Sequence, residues 1–158
     1  AIATQEAAID DLRISKKENI QLGTVKRIPI EDGSIVDVYL HTDQEGRGIN
    51  GVIVQGNDIS AETLHEVALH IAFAKPTALS RKEVPEEDIE NDLQSALGVT
   101  IAEGKPEAAW EKIVEGRVSK WLSDRVLLEQ GMFGEKETVA QKLGNGSITN
   151  FVQAYIGE

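Results

Sequence analysis

Two consecutive helical patterns between residues 86 and 129 restrict the fold of this chain more than any other feature. Each places apolar side chains on one stripe of a helix, the first with Ile89, Leu93, Ala96, Leu97 and Ile101, the second with Ala109, Ile113, Val114, Val118, Trp121 and Leu122. Between the stripes, Gly104 suits a helix end and Pro106 suits the first turn of the next helix. The sequence therefore predicts two antiparallel helices, each about 25 Å long, that project as a coiled-coil-like hairpin.

The residues before the hairpin predict a small antiparallel sheet with one helix. Asp32-Gly33 stands between two β-rich runs, a pattern typical of a β-hairpin, and residues 51–55 predict a third strand. Ser60 is a good N-cap for a helix that ends before Pro76, and SRKE at 80–83 resembles a capping box. After the helical hairpin, residues 138–143 predict a short helix and residues 148–156 a strand that returns to the sheet.

These elements predict an α+β fold with a three- to four-stranded antiparallel sheet packed against helices. We expect four segments along the chain. They are a helix remnant of a preceding subdomain at 1–17, the sheet and helix of a core subdomain at 18–84, the projecting hairpin at 85–129, and a loop, short helix and closing strand of the core subdomain at 130–158.

The charge and composition exclude several classes of function. The formal net charge of −11 disfavours nucleic acid and anionic membrane, because no basic stripe offsets it. The 158 residues include no cysteine, which excludes disulfides and thiolate metal sites, and no apolar run approaches the length of about 20 residues that a membrane span requires. We expect a cytoplasmic protein.

The stretch GRGING at 46–51 matches the glycine fingerprint G-x-G-x-x-G letter for letter. A dinucleotide site requires a helix that opens at the third glycine, but here the next residues, Val52, Ile53 and Val54, predict a strand. We therefore interpret this stretch as a flexible connection between strands. A nucleotide-binding enzyme that uses the 46–51 loop is the alternative, and it requires direct affinity for a nucleotide.

No pattern of catalytic or metal-binding residues stands out. His65 and His70 in HEVALH resemble a zinc-protease motif, but five positions separate them by about 140° around a helix. His70 then reads as a core histidine and His65 as a surface one. We expect no catalytic residue, no metal site and no cofactor.

Two features are candidates for protein contacts. His41 ends a strand on which Asp37 and Tyr39 share its face, while Val36, Val38 and Leu40 share the other. Met132 and Phe133 form an apolar pair between Gly131 and Gly134, and such a pair lies either in the core or at a partner's surface.

Four blocks in order resemble the C-terminal half of bacterial elongation factor Ts: HIAFAKP, EGKPE, KIVEGR and LLEQ. The resemblance covers about residues 18–158, and it implies a subdomain with a small antiparallel sheet and a projecting helical hairpin. The stretch ENIQLGTVKRI resembles the strand that closes the preceding subdomain, so the chain resembles a fragment of a longer factor.

The resemblance implies a guanine-nucleotide exchange factor for elongation factor Tu, with GDP, GTP and magnesium bound by the partner. It also implies partner contacts. His41 matches the position of the family's strand-end histidine, and Arg47 matches its arginine before the glycine. Gly51-Val52 matches the family's G-V pair. Gln130, Met132 and Phe133 resemble its Q-P-F-V loop, although Gly131 replaces the proline.

The family's Thr-Asp-Phe motif is absent from these 158 residues. The resemblance therefore predicts a chain that binds the partner but exchanges its nucleotide poorly. A separate expectation is that the helical hairpin supports self-association.

Overall fold

The computed structural model describes residues 5–21, 23, 25 and 27–156, which form five helices and three strands. In chain order these are α1 (Glu6–Lys16), β1 (Ile35–Thr42), β2 (Gly48–Asn57), α2 (Ala61–Ala74), α3 (Glu86–Ala102), α4 (Glu107–Ser123), α5 (Val139–Leu143) and β3 (Ser147–Tyr155). Short 3-10 turns lie at Arg81–Glu83, Leu127–Glu129 and Met132–Gly134. No helix of the described ranges is long and apolar enough to cross a bilayer.

The three strands form one antiparallel sheet with β2 at its centre. Tyr39 of β1 lies opposite Val52 of β2, and Val52 lies opposite Gln153 of β3. The predicted return of the last strand to the sheet and the α+β class are both confirmed.

The predicted hairpin at Asp32-Gly33 is wrong, although the turn itself forms. The amide of Ser34 donates to the carbonyl of Glu31 at 3.1 Å, but no strand precedes this turn in the described residues. Only Gly33 of the two central residues has a positive φ, at 83°, whereas a type I′ hairpin turn requires positive φ at both. The chain therefore does not fold back along β1. The stretch at 18–28 that resembles a strand of the preceding subdomain includes Leu22, Thr24 and Lys26, which lie outside the described residues.

Helix α2 packs on one face of the sheet and forms the main core with it. The side chain of Ser60 accepts the amide of Thr63 at 3.1 Å, as its prediction as an N-cap requires. The cluster includes fully buried residues of β2, α2 and the segment after α4: Val52, Val54, Leu64, Val67, Ala68, Ile71, Leu127, Met132, Val139, Leu143 and Ile148.

Helices α3 and α4 form the predicted hairpin, each with 17 residues. Gly104 takes a φ of 68° just after α3, and Pro106 immediately precedes α4. A second buried cluster of Ala78, Val84, Leu122 and Val126 joins the base of the hairpin to the rest of the molecule. The hairpin thus extends from the core subdomain at one end only.

The predicted capping box at Ser80 is wrong, because Ser80 makes no side-chain cap to the turn at Arg81–Glu83. The carboxylate of Glu83 instead accepts the amide of Leu79 at 2.8 Å. A capping box does occur at Thr138, whose hydroxyl accepts the amide of Gln141 while the Gln141 side chain accepts the amide of Thr138. This cap fixes the start of α5.

Candidate functional site

His41 lies at the exposed end of β1, on the face that the sequence predicts. The Tyr39 hydroxyl and Nδ1 of His41 are 3.1 Å apart, and Tyr39 also meets the ring of His65 edge-on. His65 in turn lies 2.9 Å from a carboxylate oxygen of Asp37. The alternation thus places Asp37, Tyr39 and His41 together on the α2 side of the sheet. No group in the described part of the chain bonds Nε2 of His41, so this nitrogen is available to a partner.

A break in the strand register fixes the surroundings of His41. His41 pairs with Asn50, but Thr42 pairs with Gly48, so that Ile49 is an extra residue in β2. The side-chain amide of Asn50 donates to the carbonyl of Ala72 at 2.9 Å. Because Ala72 lies in the last turn of α2, the end of β1 and the end of α2 meet at the same end of the molecule.

The connection at 43–47 is a turn closed by hydrogen bonds to Asp43, and its predicted flexibility stays a prediction. One carboxylate oxygen of Asp43 accepts the amides of Glu45 and Arg47 at 2.9 Å each, and the other accepts Nε of Arg47 at 2.8 Å. These hydrogen bonds to Arg47 lower the pKa of Asp43 below its usual range. The side chain of Arg47 is 69% exposed and also pairs with Glu45.

This geometry argues against the nucleotide-binding alternative. Gly48 and Gly51 lie within β2, so no helix begins at the third glycine of the fingerprint. Two amides of the turn, those of Glu45 and Arg47, already donate to a carboxylate. A phosphate would have to displace Asp43 and would meet its negative charge.

His70 is buried at the same end of the molecule and connects three segments. Its side chain is 1% exposed, and its Nδ1 accepts the amide of Phe133 at 3.1 Å. The other ring nitrogen then carries the proton and donates to the side-chain oxygen of Gln130 at 3.0 Å. The side-chain nitrogen of Gln130 donates in turn to the backbone carbonyl of Asp124 at 2.8 Å. The prediction of a satisfied core histidine is confirmed.

Burial makes this network favour the neutral imidazole. Burial lowers the pKa of His70 below its ordinary value, and the hydrogen bond with Gln130 offsets part of that effect. A protonated His70 would lose the acceptor for the amide of Phe133. The network therefore holds Phe133 only while His70 is neutral.

Met132 and Phe133 point in different directions. Met132 is 6% exposed and belongs to the main core, whereas Phe133 is 47% exposed. Phe133 takes a φ of 51°, which is unusual for a bulky residue, and its ring meets the His70 ring edge-on at 5.5 Å. Of the two apolar residues, Phe133 is the one exposed at the surface.

The remaining predicted site residues are less accessible. Val52 is 1% exposed and Gln130 is 7% exposed, so both support the surface from below. Gly51 is half-buried in β2, opposite Leu40. A role of these three residues in partner binding stays a prediction, and their positions favour an indirect one.

Two of the histidines, His65 and His70, lie in separate surroundings. His65 and His70 have separate partners, Asp37 and Gln130, and within the described residues no group of three or more His, Cys, Asp or Glu side chains is placed to hold an ion. That these two histidines do not share a metal stays a prediction.

Sequence reasoning missed two residues of this end of the molecule, Phe73 and Asn50. Phe73 stands in the last turn of α2 and is 69% exposed, with its ring 6.2 Å from that of Phe133. The sequence does indicate that Phe73 is exposed, because Phe73 lies off the apolar stripe formed by Leu64, Val67 and Ile71. Nothing in the sequence indicates that Asn50 would reach α2.

The fold and the site together define the class of this protein, an α+β module whose candidate site is an exposed surface rather than a catalytic cluster. A family model described as "Elongation factor TS" matches residues 3–158. The chain belongs to the elongation factor Ts family.

Several relatives of this chain are named "Elongation factor Ts". That of Kineococcus radiotolerans is 35% identical over 98% of this chain and 56% of its own length. That of Mycobacterium tuberculosis is 37% identical over 98% of this chain and 57% of its own, and that of Deinococcus radiodurans 38% identical over 89% and 51%. The chain spans about half the length of these relatives.

Proposed function

We propose that this chain acts in translation elongation as part of a guanine-nucleotide exchange factor that binds elongation factor Tu in the cytoplasm. Family membership supports a role as an elongation factor. The observation that carries the proposal is the exposed end of the sheet, where Nδ1 of His41 lies 3.1 Å from the Tyr39 hydroxyl and the amide of accessible Phe133 donates to buried His70. GDP, GTP and magnesium belong to the partner.

The proposed action needs no covalent chemistry in this chain. A binding protein releases a ligand from its partner only if it binds the ligand-free state more tightly than the ligand-bound state. His41 and Phe133 would therefore contribute to exchange through contacts that are stronger when GDP has left. The Thr-Asp-Phe motif is not among these 158 residues, and we expect this chain to bind elongation factor Tu while it accelerates GDP release only weakly.

A binding measurement with a matched pair of histidine variants tests the proposal. Titration calorimetry would compare wild-type chain, His41→Ala and His65→Ala against nucleotide-free elongation factor Tu. His41 and His65 are both exposed on the same side of the sheet, and each has its Nδ1 bonded, to Tyr39 and Asp37 respectively. Of the two, His41 is the one that lies next to the turn at 43–47. We expect His41→Ala to weaken binding by about tenfold or more and His65→Ala to leave it nearly unchanged.

The exchange step has its own readout. Loss of a fluorescent GDP from elongation factor Tu would be followed with increasing amounts of the chain. Absence of binding by the wild-type chain would refute the proposed function. Fast release at substoichiometric chain would refute the expectation of weak exchange while leaving the partner assignment intact.

A further inference from the structure

Phe73 and Phe133 form an exposed aromatic pair at the end of α2. Phe73 is 69% exposed and Phe133 is 47% exposed, and their ring centroids lie 6.2 Å apart. Burying a phenylalanine ring stabilises a folded protein. Two adjacent rings that remain partly in solvent forgo part of that stabilisation.

The turn that carries Phe133 is built to keep the ring at the surface. Phe133 has a positive φ of 51°, which is a strained backbone conformation for a bulky residue. The backbone at Gly131 is so close to Glu135 that a Cβ atom there would lie 2.0 Å from the Glu135 carbonyl oxygen. Gly134 also takes a positive φ, of 85°. The strained turn is held by the amide of Phe133, which donates to buried His70.

Phe73 is placed beside this turn by an independent element. It belongs to α2, whose other face supplies Leu64, Val67 and Ile71 to the core. The carbonyl of the preceding residue, Ala72, accepts the side chain of Asn50, and Asn50 pairs with His41. The aromatic pair is therefore continuous with the His41 end of the sheet.

The charges beside the pair point to the chemistry of the partner. An open cavity of about 400 Å³ next to Phe73 is lined by Lys120, Asp124, Glu129 and Glu135 among others. Lys120 pairs with Asp124, and Arg81 pairs with Glu129. Glu135 forms no ion pair within the described ranges, so the charge left over beside the aromatic pair is negative. A complementary surface would carry lysine or arginine at this position.

We propose that Phe73 and Phe133 act together as one aromatic anchor that enters an apolar recess of a partner protein, with a basic residue of that partner opposite Glu135. The inference rests on the proposed function, because the occupant we name is elongation factor Tu. It adds Phe73 and Glu135 as contact residues and gives His70 the role of a positioning residue. Aromatic side chains near the centre of an interface commonly contribute most of its binding energy.

The test measures affinity for nucleotide-free elongation factor Tu by titration calorimetry. Phe73→Ala should weaken binding by about tenfold or more, and Phe73→Leu should weaken it less, because Leu retains apolar area but not the ring. Val38→Ala is the matched control, since Val38 is 65% exposed but lies on the sheet face turned away from α2. We expect the control to bind within about twofold of wild type.

A double-mutant cycle tests whether the rings act as one unit. Phe73→Ala, Phe133→Ala and the double variant would be compared, with their unfolding transitions recorded to show that each folds. If the two rings act as one anchor, the fold-loss in affinity of the double variant should be smaller than the product of the fold-losses of the two single variants. Glu135→Lys should slow association and weaken its dependence on salt.

The outcomes separate the two proposals. Wild-type binding that is unaffected by Phe73→Ala would overturn the anchor and leave the proposed function standing. Equal losses for Phe73→Ala and Val38→Ala would also overturn it, because the effect would then not belong to this end of the molecule. Absence of binding by the wild-type chain would overturn the proposed function. It would overturn the anchor as well, because elongation factor Tu is the partner that the anchor is proposed to bind.

Discussion

Two substitutions at His70 separate its two hydrogen bonds, because each replaces one ring nitrogen. Asn places an oxygen near the position of Nδ1 and keeps an acceptor for the amide of Phe133, but it loses the donor to Gln130. Gln places a nitrogen near the position of Nε2 and keeps the donor to Gln130, but it loses the acceptor for Phe133. His70 is 1% exposed, so water does not replace either lost partner.

The structure predicts different stabilities for the two variants. His70→Asn leaves the buried side-chain oxygen of Gln130 unpaired and removes ring atoms from a packed site, and we expect it to lower the free energy of unfolding by about 2–4 kcal/mol. His70→Gln leaves the amide of Phe133 unpaired, but the turn is then free to relax its positive φ and recover about 1–3 kcal/mol of strain. His70→Gln should therefore be the more stable variant and the weaker binder of a partner.

The same network makes stability depend on pH with a definite sign. Burial lowers the pKa of folded His70, while the unfolded chain keeps an ordinary value of about 6.5. Above about pH 6.5 both states are neutral and His70 adds no pH dependence. Below that pH the unfolded chain takes up the proton first, so the free energy of unfolding falls until the pKa of the folded state is reached. For one proton the slope does not exceed about 1.4 kcal/mol per pH unit.

Urea unfolding followed by circular dichroism between about pH 7.5 and about pH 5 measures this effect. The carboxyls of Asp43 and Glu103, whose pKa values are lowered by hydrogen bonds to Arg47 and Arg117, titrate below this window. The difference between wild type and His70→Gln therefore isolates His70. If the wild-type chain loses no more stability on acidification than His70→Gln does, the neutral buried network described above is incorrect.

The remaining predictions concern local backbone features. Gly131→Ala should lower the free energy of unfolding by about 2–4 kcal/mol, because its Cβ would meet the Glu135 carbonyl oxygen. Gly116→Ala, which has open space around it in α4, should raise the free energy of unfolding by about 0.5–1 kcal/mol. Urea unfolding measures both effects. Thr138→Ala should cost about 1 kcal/mol by the same assay, since it removes the capping box of α5. Asp43→Ala should speed hydrogen exchange at the amides of Glu45 and Arg47, measured by NMR, with global unfolding nearly unchanged.

The helices could be predicted from the sequence because their signals are local. The N-cap of α2, the glycine after α3 and the proline before α4 act within one turn of backbone, and the apolar stripes repeat within a few residues. The wrong hairpin at Asp32-Gly33 shows the limit of such signals. The dipeptide does form a turn, but strand pairing also depends on the φ of Asp32 and on a partner for the preceding residues.

Alternation along β1 predicts which residues share a face but not which face is buried. Val36, Val38 and Leu40 are 37%, 65% and 60% exposed, although they are the apolar side of the strand. The register with β2 decides the matter, because Tyr39 and Asp37 lie opposite Val52 and Val54, which pack under α2. The sequence of β1 alone therefore does not indicate which of its faces α2 covers.

The predicted contact residues of the 130–133 segment illustrate why a site cannot be read from local sequence alone. Gln130, Met132 and Phe133 are neighbours in the chain, but Met132 enters the core and only Phe133 is presented at the surface. That division is fixed by His70, 63 residues earlier, which binds the amide of Phe133 and the side chain of Gln130. Loss of partner binding in Gln130→Ala would therefore not show that Gln130 touches the partner. It would arise through a His70 ring that has lost one of its two hydrogen bonds, and amide exchange at Phe133 should rise less than in His70→Gln, because Nδ1 of His70 still accepts that amide.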